Sequence, residues 1–197
     1  MHHVAAQLDY FDDVANNDYD INDYYALDPV KVLQVACERT LEDAGAKDSE
    51  KKAVGSTTAL IAFLRDDELR IATLGDTSCL VFRNGALIFR TEEQQHSFNF
   101  PYQLGSDSKD TPEKDALTYR VKVQEGDLIV VGSDGIFDNL FDEDILDLIN
   151  STILGTPSAT ASNTTHTHSP ISSTIPPARI LRTDPHKIAS AILERAR

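Results

Sequence analysis

Two short acidic turns carry residues able to do chemistry. Leu74-Gly75-Asp76-Thr77 closes one apolar run, and Gly132-Ser133-Asp134-Gly135-Ile136-Phe137-Asp138-Asn139 follows another, Leu128-Ile129-Val130-Val131. Each sets an Asp beside a Gly at the end of a β-type run. A strand end fixes where the side chain starts, and Gly lets the backbone bend sharply and leaves room for a ligand. Two carboxylates about 4 Å apart repel by roughly 4 kcal/mol at an effective dielectric of 20, so a pair held that close implies a cation between them. Oxygen-only donors, with no His or Cys in either turn, suit Mg²⁺ or Mn²⁺. Gly-Asp and Asp-Gly are also common turn dipeptides, and as plain turns they need no ligand.

The elements that must position these turns are legible in outline. Asp28-Pro29 predicts a helix start, with Val30, Leu33, Cys37 and Leu41 at helical spacing and Gly45 as a stop. From Gly55 the pattern is β. Thr57–Leu64 predicts a strand too apolar to face water on either side, Arg65–Glu68 a turn, and Leu69–Leu74 the return strand. Asn84-Gly85 between Ser78–Arg83 and Ala86–Arg90 predicts a type I′ hairpin, because that turn needs positive φ twice. A polar stretch runs from Thr91 to Asp115. Leu117–Val123, a Glu125-Gly126 turn and Asp127–Val131 follow, the last predicted as a central buried strand. Asp142 is expected to cap a helix with Ile145, Leu146, Leu148 and Ile149 inward. Asp184-Pro185 predicts a final helix, with Ile188, Ile192 and Ala196 on one face. Helices segregated outside antiparallel strands make an α+β layered domain.

Composition narrows the function classes. The 197 residues carry 18 basic and 32 acidic side chains, a net charge of −14 that would repel nucleic acid. The longest apolar run, Ala59–Leu64, is too short to span a bilayer. No Lys or Arg occurs in residues 1–30, so neither a secretory signal nor an Arg-rich transit peptide is expected in this chain. Cys37 and Cys79 are the only cysteines, which argues against a disulfide framework and a cysteine-zinc site and for a reducing compartment. The chain divides into an acidic, irregular segment 1–28, a core 29–150, a Ser/Thr/Pro-rich insertion 151–183 expected to be disordered, and a helix 184–197 of the same domain.

Weaker features read as structural. His166 and His168 fall in the insertion, His2-His3 at an exposed terminus, and His96 at the surface or core edge. Arg83 and Arg90 flank the hairpin as solvated strand-end cations, and Cys79 belongs to the core.

Gly55-Ser56-Thr57-Thr58-Ala59, then Leu74–Thr77, then Gly132–Asn139, in this order, resemble the metal-dependent type 2C protein phosphatases. Glu93–Leu104 is similar to the branch that includes mitochondrial phosphatases. The resemblance implies a four-layer α-β-β-α fold, an antiparallel β-sandwich flanked by helices. It implies hydrolysis of phosphoserine and phosphothreonine in a phosphoprotein substrate by water activated on two or more Mg²⁺ or Mn²⁺ ions. Carried onto this chain, Asp134 matches a ligand of the catalytic centre. Asp76 and Asp138 match acidic positions of an additional, weaker metal site that also uses Asp134. Gly135 matches the glycine that lets the loop fold close to the ion, and Asn139 shapes the turn.

Two family features are absent. No Asp-Gly precedes Asp134, and the chain is expected to stop before the closing strand that bears an Asp-Asp or Asp-Asn pair. The chain is therefore expected to be an internal portion of such a phosphatase, truncated at both ends. It is expected to be monomeric, without nucleic acid or membrane as partner, and mitochondrial or cytoplasmic. The competing expectation is a catalytically dead, phosphatase-like interaction module. A more distant one is an unrelated acidic β-rich fold that binds a small ligand.

Overall fold

The computed structural model describes residues 2–12, 25–45, 54–155 and 183–197. They fall into two compact units. The first comprises Met1–Thr77 with Thr91–Val123, and the second Ser78–Arg90 with Gln124–Arg197.

In the first unit β2 (Ala59–Arg65), β3 (Glu68–Leu74) and β9 (Leu117–Lys122) form an antiparallel sheet with β3 in the middle. The turn between β2 and β3 is tight: Arg65 pairs with Glu68, and Asp66 takes a positive φ of 53°. One face of this sheet packs against α1 (His2–Asp12) and α2 (Pro29–Asp43). Val4, Val32, Leu33 and Ala36 from the helices meet Ile61, Phe63, Ala72 and Leu74 from the strands. The Asp28 carboxylate caps α2 by accepting from the Val30 N–H at 2.9 Å, with Pro29 in the first turn, as expected from the sequence. The buried stripe centres on Val32, Leu33 and Ala36, whereas Val30, Cys37 and Leu41 are half-buried. Short strands β1 (Ser56–Thr57) with β8 (Leu104–Gly105), and β6 (Gln95–Ser97) with β7 (Phe100–Pro101), complete the unit with α3 (Pro112–Asp115).

In the second unit β4 (Ser78–Arg83) lies between β10 (Leu128–Gly132) and β5 (Ala86–Arg90). The Asn84-Gly85 turn has φ of 50° and 76°, the pair of positive values a type I′ hairpin demands. Leu80 and Phe82 pack against Ile145, Leu148, Ile149 and Ile153 of α5 (Asp142–Leu154) and Ile188 and Ile192 of α6 (Pro185–Arg195). Asp184 caps α6 through the His186 N–H at 2.9 Å. Fully burying a side chain such as Ile145 or Ile149 contributes about 1.5–3 kcal/mol. The four-residue helix α4 (Asp134–Phe137) follows β10 directly.

Several expectations change. Segment 1–28 is not irregular throughout: His2–Asp12 is helical, Val4 is buried, and His3 Nε2 lies 2.8 Å from Asp43 Oδ2. His3 is therefore engaged rather than a loose terminus. Leu128–Val131 is not a central buried strand. Among the described residues β10 pairs only with β4, so Leu128 and Val130 are half-buried while Ile129 and Val131 are 43% and 48% exposed. The central, buried strands are β3 and β4. β2 also shows water one face, with Leu64 exposed. Asp142 is not the cap of α5. Phe141 holds that position, its N–H donating to Asp144 Oδ2 at 3.0 Å, and Asp142 pairs instead with Arg90. The helix continues through Leu154 into the Ser/Thr-rich stretch, because Ile153 joins the core and Gly155 ends it at φ 68°. Residues 156–182, with His166 and His168, lie outside the described residues.

Candidate metal centre

Asp76 sits in the first unit, just beyond β3. Its turn is built from inside that unit. Gly75 takes φ +106°, and a Cβ there would lie 2.5 Å from Thr58 Cγ2 and 2.6 Å from the Tyr102 carbonyl oxygen, so only glycine fits. The Gly75 N–H donates to Gln94 Oε1 at 3.3 Å, and the Gln94 N–H donates back to the Gly75 carbonyl at 2.9 Å. Gln94 is anchored in turn by donating from Nε2 to the Asp115 carbonyl at 2.7 Å. The Thr58 and Thr77 hydroxyls share a 2.9 Å hydrogen bond, and the Thr73 hydroxyl donates to the Thr77 carbonyl at 3.1 Å. Asp76 itself is half-buried.

Asp134, Gly135 and Asp138 sit in the second unit, and the structure brings them onto one helical turn. β10 ends at Gly132, where a Cβ would come within 2.8 Å of Ile136 Cδ1. Asp134 opens α4 and Asp138 ends it, so the two carboxylates are four residues apart on one side of the turn. The Asp138 N–H donates to the Asp134 carbonyl at 2.8 Å, and the Gly135 N–H donates to Asp134 Oδ1 at 2.7 Å. Asn139 donates from Nδ2 to the Gly135 carbonyl at 3.1 Å, the turn-shaping contact expected of it. Asp134, Gly135, Asp138 and Asn139 are all exposed. Gly135 has only the Ser133 hydroxyl near a would-be Cβ, at 3.6 Å, so internal packing does not demand glycine there.

The donor chemistry fits a hard divalent cation: carboxylate oxygens in an open, hydrated setting, with no thiol or imidazole beside them. The number of donors does not close a shell. Among the described residues no group of three or more His, Cys, Asp or Glu is assembled to hold a metal ion.

Other polar residues are committed to structure. Arg83 grips Asp127 through Nε–Oδ1 at 2.8 Å and Nη2–Oδ2 at 2.6 Å, and Asp127 is only 3% exposed. Burial pushes the Asp127 carboxyl up, but bonds from Arg83 and the Gln124 N–H outweigh it and hold it below its ordinary value. Arg90 pairs with Asp142 and lies 5.0 Å over the Phe137 ring. Neither arginine is a merely solvated strand end. His96 stacks on Tyr102 at 3.8 Å, its Nε2 lying 3.0 Å from both oxygens of Asp110. Cys79 is buried, which pushes its thiol up to about 11. Sequence reasoning missed Gln94, Tyr102 and Thr58 as the frame of the Asp76 turn. They lie 17 to 27 positions from Gly75; the segments Gly55–Ala59 and Glu93–Leu104 that hold them carry the family resemblance, but nothing in the sequence ties them to the Asp76 turn.

Comparison with known proteins bears on the family and the fold. A family profile described as Protein phosphatase 2C matches residues 9–168. Probable protein phosphatase 2C 80 of Arabidopsis thaliana is 40% identical over 129 residues, 65% of this chain and 28% of that protein. Probable protein phosphatase 2C 1 of Oryza sativa subsp. japonica is 46% identical over 99 residues, 50% of this chain and 30% of its own length. The chain thus spans about a third or less of these relatives. The X-ray structure of the photosystem II phosphatase PBCP superposes with a TM-score of 0.65 at 31% identity, covering 100% of this chain and 57% of that one. The catalytic domain of the serine/threonine phosphatase PstP, solved with two manganese ions, shares the fold at a TM-score of 0.57 and 15% identity, covering 99% and 74%. No helix among the described residues is long and apolar enough to cross a membrane. With most of the sequence matched by one profile and relatives of 40% identity or more carrying the same name, the chain belongs to the protein phosphatase 2C family.

Proposed function

We propose that this chain is part of a metal-dependent protein serine/threonine phosphatase, acting as a monomer on a phosphoprotein. In that reaction the bond from phosphorus to the seryl or threonyl oxygen breaks, and a water oxygen takes its place. Asp134 is the ligand of the catalytic centre; Asp76 and Asp138 supply an additional, weaker ion site that also uses Asp134. When bound, Mg²⁺ or Mn²⁺ lowers the pKa of water and polarises the phosphoryl oxygens. The chain's own part is to aim the donors. The Gly135 N–H steadies one oxygen of Asp134 and leaves the other for the ion, while the bare Gly135 backbone keeps the approach open.

One turn carries this reading. Asp134 opens the turn that follows β10 and Asp138 ends it, the Asp138 N–H donating to the Asp134 carbonyl at 2.8 Å and the Gly135 N–H to Asp134 Oδ1 at 2.7 Å. Both acids are exposed.

A second reading, a catalytically inactive interaction module, is favoured by the absence of a three-ligand cluster among the described residues. Turnover of a phosphothreonine peptide or p-nitrophenyl phosphate by the purified chain with saturating Mn²⁺ separates the two. Metal-dependent turnover abolished by Asp134→Ala is the expected result. No turnover at saturating Mn²⁺ removes the activity and leaves the module. As to compartment, the mitochondrial or cytoplasmic expectation competes with a plastid, since one structural neighbour is a photosystem II phosphatase. Imaging of the tagged full-length protein decides between them.

A further inference from the structure

The first unit contains a cavity of about 410 Å³ that none of Asp76, Asp134 or Asp138 lines. It opens where residues 25–31 meet β3 and β9, and its walls carry Lys31, Arg70 and Arg120 against a single acid, Asp28. Asp28 is occupied as the cap of α2. Arg70 is the floor, with 10% of its side chain exposed. Its Nε donates to Glu68 Oε1 at 2.8 Å, and its Nη1 donates to the carbonyls of Tyr25 and Leu27 at 2.6 and 3.3 Å. Its Nη2 makes no hydrogen bond among the described residues. Arg120 is 72% exposed and reaches the same Glu68 oxygen only at 3.8 Å, and Lys31 is exposed and makes no ion pair with a described residue. Among the described residues one carboxylate thus serves two guanidinium groups, with an ammonium beside them. In a chain of net charge −14, the described lining of this hollow carries three cations and one acid.

We propose that the cavity binds a phosphate monoester on a small organic group. The chain's overall field repels anions, so attraction there must be short-range and paired. Guanidinium groups give that to a tetrahedral oxyanion through parallel N–H donors. The volume lies within the range of small-molecule sites and leaves room for an organic portion against Leu27, Pro29 and Tyr119.

The test is calorimetric titration of the full chain with O-phosphoserine, inorganic phosphate and a phosphoserine peptide, all in EDTA to silence any metal site. Lys31→Ala, Arg120→Ala and the double variant are compared, with circular dichroism to confirm folding; both side chains are exposed. O-phosphoserine or the peptide should bind at least as tightly as phosphate, and which of the two is tighter tells a free metabolite from a protein-borne group. Each single variant should weaken binding about fivefold and the double variant more, and 0.5 M salt should weaken it further. No binding in EDTA, tighter binding of bare phosphate, or affinity unchanged in the double variant overturns the proposal.

Discussion

The two aspartate turns are held in opposite ways. The Asp76 turn is fixed by residues distant in sequence, with Thr58, Gln94 and Tyr102 closing on Gly75 from three directions. The Asp134 turn is fixed by its immediate neighbours, since every bond found there spans four residues or fewer. One is a buried joint of the scaffold and the other an exposed knuckle. Where glycine is demanded by packing, a substitution reads out as stability. Where glycine faces open space, a substitution should read out as function.

Glycine substitutions break this contrast most sharply. Gly75→Ala puts a Cβ into Thr58 and the Tyr102 carbonyl at a positive φ, and should cost about 3–5 kcal/mol or prevent folding. Gly135→Ala meets only the Ser133 hydroxyl at 3.6 Å and should stay within about 1 kcal/mol. Urea denaturation of both variants checks the pair; equal losses would erase the distinction between joint and knuckle.

Next in size is the Arg83–Asp127 clamp within the second unit. Asp127→Asn leaves Arg83 facing a neutral amide and should cost about 2–3 kcal/mol, since Arg83 is itself partly exposed. Because the folded Asp127 carboxyl sits below its ordinary value, its contribution is complete above about pH 5 and is lost as pH falls through about 4 and below. Wild type should therefore lose more stability than Asp127→Asn between pH 5 and 3. Parallel acid titrations would count against the clamp.

Smaller effects sharpen the picture. The buried Ser78 hydroxyl has no hydrogen-bond partner among the described residues, so Ser78→Ala should be neutral or stabilising by up to about 1 kcal/mol in thermal unfolding. Half-buried Cys37 should react with a thiol reagent in the native protein well before buried Cys79. Labelling followed by peptide mapping reads the order directly.

What the sequence makes legible follows from how local the determining physics is. Asp28-Pro29, Asp184-Pro185 and Asn84-Gly85 announce themselves because a cap or a type I′ turn is decided within two or three residues. The Asp134–Asp138 knuckle is legible for the same reason. β10 is misjudged because an apolar run cannot reveal how many neighbours the strand has; Ile129 and Val131 are as hydrophobic as a core pair yet sit exposed. α1 is missed because, among its described side chains, Val4 and Leu8 are the ones that meet the core, too few to register as a period. The lock on Gly75 depends on partners brought together only by folding.

The measurement closest to the centre of this account is calorimetric titration of the folded chain with Mn²⁺, wild type against Asp134→Ala. Asp134 is exposed and the substitution should leave stability nearly unchanged. Binding by the wild type, weakened at least tenfold in Asp134→Ala, is the expected result. Equal Mn²⁺ affinity in both proteins would contradict the assignment of Asp134 as the metal-holding residue.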